Sequence, residues 1–351
     1  MVKRLLQLDG LRGIAALMVI FYHFFIDLEL KTNIINLIKK VSTIGQTGVT
    51  LFFVLSGFLI TRILLNEKTS KSFFKSFYWR RIIRIFPLYY FFLLIFYFLL
   101  PFFSKIPLNS EHANISYYFI FLQNLAITFN WNSYGPVHYW SLAVEEHFYI
   151  LFPLIVYYSN IKNLKLICYF LIVFSILTRI LLVFNHYEVY FFSFSAFDAI
   201  VFGALVSIFE YENKLKLYFN SLIKFFIYFF LPAVILWIIF SGKRVEFMQI
   251  IKLSITSILY TYLIGYLVNS RSENKFNSIL SNKFLLFTGK ISFGLYVYHP
   301  LVLLLINQYL NPINIISNFI LFLFITYFIS WISWELFESR LLVYKKYFDY
   351  K

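Results

Sequence analysis

Hydrophobic positions along this chain fall into continuous blocks of about 18 to 22 residues, separated by shorter polar, Lys- and Arg-bearing stretches. At about 1.5 Å per residue, such a block crosses a ~30 Å hydrocarbon core as a helix. The pattern predicts ten spans, at 12–28, 47–65, 86–104, 141–159, 164–184, 192–209, 222–241, 249–268, 291–309 and 314–335. A further apolar stretch, Tyr117 to Thr128, is only ~18 Å long as a helix. It is read as a re-entrant or interfacial piece within an outer segment, 105–140. The blocks are continuously apolar, not alternating, which excludes a β-barrel. The expected fold class is all-α: a polytopic helical membrane protein of about ten transmembrane helices plus one short segment. No soluble domain, low-complexity linker or internal repeat interrupts 1–351, so a single domain is expected.

Composition strengthens this reading. Of 351 residues, 61% are hydrophobic and 13% charged, a balance foreign to soluble domains. The net charge of +15 invites nucleic acid as a partner until its location is considered. With the N-terminus inside, roughly three-quarters of the Lys and Arg fall in cytoplasmic segments, which predicts two cytoplasmic termini. The cations are then topology signals facing anionic lipid, and no nucleic-acid partner is expected. The densest basic segment runs from Arg62 to Arg84, with seven Lys or Arg. Cys168 is the only cysteine, so no internal disulfide can form. Met1 to Arg4 and the following apolar run resemble a signal peptide, but no A-x-A-like site follows, so a retained signal-anchor helix is expected. Phe and Tyr are abundant throughout, so an aromatic stripe is read as lipid-facing or packing surface.

The first span carries the most suggestive chemistry. Arg12 and His23 stand eleven positions apart in an otherwise apolar run, roughly 20° beyond three full turns, and so share one face. They lie roughly 16 Å apart along the axis. Arg12 is expected near one membrane surface and His23 near mid-depth, an arrangement suited to a long ligand with an anionic head and a reactive tail. The structural alternative is that Arg12 snorkels to the headgroups while His23 bonds a neighbouring helix.

Four other stretches hold polar groups at membrane level. In Gly45 to Thr61, small residues allow close helix approach, and Ser56 can hydrogen-bond across an interface or line a substrate face. In Trp79-Arg80-Arg81-Ile-Ile-Arg84, Arg81 and Arg84 share a helical face and form either a phosphate site or a positive-inside anchor on lipid. In Tyr139-Trp140-Ser141-Leu-Ala-Val-Glu145-Glu146-His147, two adjacent carboxylates point about 100° apart. The buried role is assigned to Glu145 and an interfacial one to Glu146; the alternative leaves both near the headgroups, with Tyr139 and Trp140 as an aromatic belt. In Gly289 to Pro300, His299 lies roughly 12 Å into its helix, at a depth similar to His23. Asp198, Glu335 and Glu338 are further membrane-level acids that pairing between helices explains as well as catalysis does.

Together these stretches resemble the integral-membrane acyltransferase 3 family, whose members O-acylate sugars of cell-envelope glycans. The carrying motifs are LDGLRGIAALMVIFYHF, GVTLFFVLSGFLIT, WRRIIRIFPLYY, YWSLAVEEHFYILFP and GKISFGLYVYHP, in order along nearly the whole chain. The resemblance implies a bacterial cytoplasmic-membrane transferase taking an acyl group, usually acetyl, from a cytoplasmic CoA thioester to a glycan or lipid-linked sugar hydroxyl. Acyl-CoA would be a donor substrate, and no tightly bound cofactor or metal is expected. Arg12 and His23 match the family's Arg–His pair, Arg81 and Arg84 its R-x-x-R pair, and Glu145 the acid of its WSLxVE motif. Arg80 is grouped with the CoA-binding cations, and Ser56, Trp140, Ser141 and His299 with substrate binding. The chain departs from the family at His147, where Gln is common, and after Glu338, where Ser-Arg replaces a nearby Pro, and it is expected to do without the extracytoplasmic hydrolase-like domain of some members. His23, with a reference pKa of about 6.5, would act as general base on the sugar hydroxyl or first accept the acyl group as nucleophile. A transporter or flippase for a lipid-linked glycan is the competing class, disfavoured by the absence of repeated halves and the gathering of cations at one face.

Overall fold

The computed structural model describes residues 5–26, 33–103, 114–217, 246–269, 275–309 and 315–350, together with Tyr228 and Pro232. It is 87% helix, and no strand occurs among the described residues. The main helices are α1 (Leu6–Ile26), α2 (Gly48–Asn66), α3 (Phe73–Leu94), α4 (Trp140–Tyr158) and α5 (Ile161–Phe184). They are followed by α6 (Ser193–Tyr211), α7 (Glu246–Asn269), α8 (Lys283–Lys290), α9 (Ser292–Tyr309) and α10 (Ile315–Ser333). Among the described residues, seven helices are long and apolar enough to cross a membrane, or eight if α8 and α9, bent by 73°, form one broken span. The chain is a membrane protein. The expected fourth span is α4, whose Glu145-Glu146-His147 run keeps it outside that apolar set. The expected seventh span, 222–241, lies outside the described residues apart from Tyr228 and Pro232.

Glycines set the closest helix contacts. A Cβ on Gly57 of α2 would lie 1.7 Å from the Ile200 carbonyl oxygen of α6, and one on Gly203 of α6 would lie 1.9 Å from that of Val54. This reciprocal seam fixes α2 against α6, as small residues do where lipid supplies no hydrophobic drive between helices. A second seam holds α1 on α8, where a Cβ on Gly289 would meet the Asp9 carbonyl oxygen at 1.9 Å. Burial of Leu8 and Leu11 extends α1 six residues upstream of the expected start. His23 therefore falls in the last turn of the described helix and not midway along it.

The Tyr117–Thr128 stretch forms two short helices, Ser116–Phe119 and Gln123–Thr128. Gln123 and Asn124 are fully buried; Gln123 donates to the Tyr139 carbonyl at 2.8 Å, and Asn124 to Ser193 Oγ at 2.7 Å. Backbone outside regular helices is tolerated at membrane level when it is enclosed by protein in this way.

Asp198 resolves as a structural acid. Arg179 of α5 meets both its carboxylate oxygens, at 3.0 and 2.8 Å, and Ser254 of α7 donates to Oδ2 at 2.6 Å. Arg179 also donates to the Ser195 carbonyl at 2.5 Å. The pair is buried, with side-chain exposures of 1% and 0%, and ties α5, α6 and α7 together.

Candidate active site

A cavity of about 640 Å³ opens among α1, α2, α3, α4 and α9. Arg12, Arg80, Arg81, Arg84, Ser56, Ser141 and Glu145 all line it. The expected side chains thus converge from four helices, although 12 and 145 are far apart in sequence. Local rules supply the geometry: Arg81 and Arg84, three apart on α3, face the same way, and Arg81 stacks over the Phe77 and Tyr149 rings at 5.8 and 5.7 Å.

The cavity is rich in cations. Arg12 pairs with Asp9 one turn before it, at 3.2 Å. Arg80 pairs with Asp349, and its guanidinium lies 5.8 Å from the Tyr350 ring. Neither Arg81 nor Arg84 forms an ion pair among the described residues. Burial pushes the Tyr350 phenol up to about 12, against the opposing pull of Arg81 and Arg80.

Glu145 is a further carboxylate among these cations, besides Asp9 and Asp349. Tyr149, one turn further along α4, donates to its Oε2 at 2.9 Å and shares a hydrogen bond with Ser56 of α2. Ser56 therefore both bridges helices and lines the cavity. Glu146, expected at the interface, is instead 8% exposed, and its Oε1 has no hydrogen-bond partner among the described residues. Its ~100° offset from Glu145 turns it into protein packed against α4, not toward headgroups.

His23, His299 and Trp140 are not among the cavity-lining residues. Trp140 packs on Phe53, Tyr190 and Phe191, with ring centroids 5.8, 4.7 and 5.4 Å away. His23 Nδ1 lies 3.1 Å from His299 Nε2, and the His138 ring lies 5.6 Å from that of His299. Tyr296 connects the two regions. It lines the cavity, shares a 2.5 Å hydrogen bond with Ser141, donates to the His138 carbonyl at 2.7 Å, and has its ring 5.9 Å from that of His299.

Asp9, Tyr149, Tyr296, His138, Asp349 and Tyr350 were not singled out from sequence. Asp9 stands at i−3 from Arg12 and Tyr149 at i+4 from Glu145, spacings that place each pair on one helical face and could have found them. Nothing local marks Asp349 or Tyr350, which reach the cavity only through the fold.

Comparisons with known proteins show what the whole chain is similar to. A Staphylococcus aureus (strain COL) protein is 29% identical over 324 residues, covering 86% of this chain and 51% of its own length. O-acetyltransferase OatA of Staphylococcus aureus (strain NCTC 8325 / PS 47) is 27% identical with the same coverage. Peptidoglycan O-acetyltransferase OatA of Listeria monocytogenes is 33% identical over 173 residues, 46% of this chain and 26% of that protein. The chain spans about half the length of the curated relatives it matches across most of its own length. No solved structure matches. A family model described as an acyltransferase domain matches residues 5–335, nearly the whole chain, which belongs to the acyltransferase 3 family.

Proposed function

We propose that this chain is a membrane O-acyltransferase that moves an acyl group from a cytoplasmic acyl-CoA to a hydroxyl of an envelope glycan. The observation that carries this reading is the cavity itself, in which Arg81 and Arg84 stand without ion-pair partners beside Arg12. Guanidiniums in that state suit the phosphates of a nucleotide-bearing donor, which they meet bidentately. The relatives' names favour acetyl as the group transferred and a glycan such as peptidoglycan as acceptor. The membrane is the bacterial cytoplasmic membrane, with both termini and the arginine-lined mouth on the cytoplasmic side, as the positive-inside bias favours.

With the donor's phosphates on Arg12, Arg81 and Arg84, its pantetheine arm runs along the cavity past Tyr296 toward His23. The acceptor oxygen bonds to the thioester carbonyl carbon while His23 Nε2 takes the hydroxyl proton. The carbon–sulfur bond then breaks, and the departing sulfur takes that proton from His23 and leaves as the thiol. Glu145, held by Tyr149, balances part of the positive charge around the donor and limits how tightly the spent CoA is retained.

Membranes carrying the protein, given acetyl-labelled acetyl-CoA and envelope glycan, should transfer label to the glycan. His23→Ala should lower the rate about 10²- to 10⁴-fold at equal abundance. Undiminished transfer by His23→Ala would remove this residue from the chemistry, and no transfer or CoA binding by the wild type would overturn the reading.

A further inference from the structure

His23 and His299 are 276 positions apart in sequence, yet their ring nitrogens meet at 3.1 Å. The hydrogen-bond pattern fixes which nitrogens carry protons. His299 Nδ1 lies 3.0 Å from the Leu295 carbonyl oxygen, and a carbonyl can only accept, so Nδ1 carries the hydrogen. In the neutral ring, His299 Nε2 then holds the lone pair. His23 Nδ1 faces two acceptors, that lone pair at 3.1 Å and the Val19 carbonyl oxygen at 3.0 Å, so it too carries its hydrogen. The basic lone pair of His23 is thereby assigned to Nε2. His138 stands outside this chain of bonds, because its Nε2 points at the Val297 carbonyl oxygen, 3.2 Å away.

The Val19 bond alone sets the tautomer, but it belongs to His23's own helix and follows that helix wherever it moves. The His299 bond comes from α9, whose interior position leaves this side chain fully buried. It ties the His23 ring to the element that also carries Tyr296, a lining residue of the donor cavity. It also supplies a lone pair toward Nδ1–H, and that bond strengthens as His23 gains a proton at Nε2 and becomes cationic.

We propose that His299 is a positioning residue for His23: it orients the ring with Nε2 as the base and stabilises the imidazolium formed during transfer. This rests on the acyltransfer reading above and extends it to a residue that does not itself touch the reacting atoms.

Three variants at one position test the proposal, each compared with wild type for kcat, donor KM and thermal stability in detergent. His299→Gln puts an amide oxygen near the Nε2 position and can still accept from His23. His299→Asn can replace the bond to Leu295 but does not reach His23, and His299→Leu does neither. The expected result is that kcat falls about 10- to 100-fold in His299→Asn and His299→Leu, with donor KM unchanged, and that His299→Gln recovers most of it. Equal kcat in the Asn and Gln variants, or losses that follow melting temperature across all three, would overturn it. Wild-type transfer abolished by His23→Ala but unaffected at position 299 would refute this inference alone. Absence of wild-type transfer would refute the function beneath it.

Discussion

The protein holds arginines at membrane level in two settings with opposite chemistry. Around Asp198, one guanidinium meets one carboxylate bidentately, Ser254 and the Ser195 carbonyl add further hydrogen bonds that leave Arg179 Nε without a partner among the described residues, and both charged side chains are buried. In the cavity, Arg12, Arg80, Arg81 and Arg84 converge, and two of them lack an ion-pair partner among the described residues. The first arrangement is a clamp between helices, since a buried pair is tolerable only when its geometry and hydrogen bonds are nearly complete. The second leaves guanidinium capacity facing an open volume, which is what an anionic ligand requires. Charge at membrane depth therefore does not by itself mark a site; incomplete pairing beside a cavity does.

The sharpest break between the two settings is at the clamp. Asp198→Ala strands Arg179 and should cost about 3–5 kcal/mol of stability, read as a large fall in melting temperature in detergent. CoA affinity of the fraction that remains folded should be unchanged. A normal melting temperature would show that the clamp is not structural.

A smaller effect lies at the cavity mouth, where Asp349 occupies Arg80. Asp349→Asn should free that guanidinium and tighten CoA binding about two- to fivefold, the scale of an exposed ion pair. Weaker binding in this variant would mean that Asp349 supports the donor site instead of competing with it.

The smallest effect concerns an ordinary ion pair remote from both regions. Glu212 accepts from Lys165 at 3.0 Å and lies 3.6 Å from Lys214, and the Lys165 hydrogen bond holds its carboxyl below the usual carboxylate range. A depressed folded-state pKa adds stability above the unfolded-state value, and that increment is lost as pH falls through the folded-state pKa. Glu212→Gln should therefore lower stability slightly at neutral pH, and the difference from wild type should begin to shrink near the reference carboxylate pKa of about 4.3 and vanish once pH falls below the depressed folded-state pKa. A difference that persists in acid would point to packing and not charge.

The same contrast explains what could be read from the sequence. The helical fold and most of its span positions were legible because each block is continuously apolar and of bilayer length. Arg81 and Arg84 were legible as a pair because three positions along a helix return to one face. The 100° step put Glu145 and Glu146 on different faces, but their expected burial is reversed: Glu146 is the buried one and Glu145 is half-buried at the cavity, because burial depends on which helices cover α4, which no local pattern encodes. Asp198 was visible as an acid at membrane level, whereas Arg179 was a single cation within an apolar block, and only the packing of α5 on α6 joins them. His23 and His299 each stood out alone; their contact required α9 to cross the last turn of α1. The assignment of Asp349 to Arg80 depends in the same way on the segment after α10 folding back to the start of α3, where Phe348 stacks on Trp79 at 5.3 Å.

The most direct test of the central claim is CoA affinity, measured by calorimetry on detergent-solubilised wild type and on the Arg81→Ala/Arg84→Ala double variant. Loss of two charge-assisted partners predicts about 100-fold weaker binding or more, with little change in melting temperature. Unchanged affinity in the double variant would contradict the account and leave the arginine cavity without its proposed ligand.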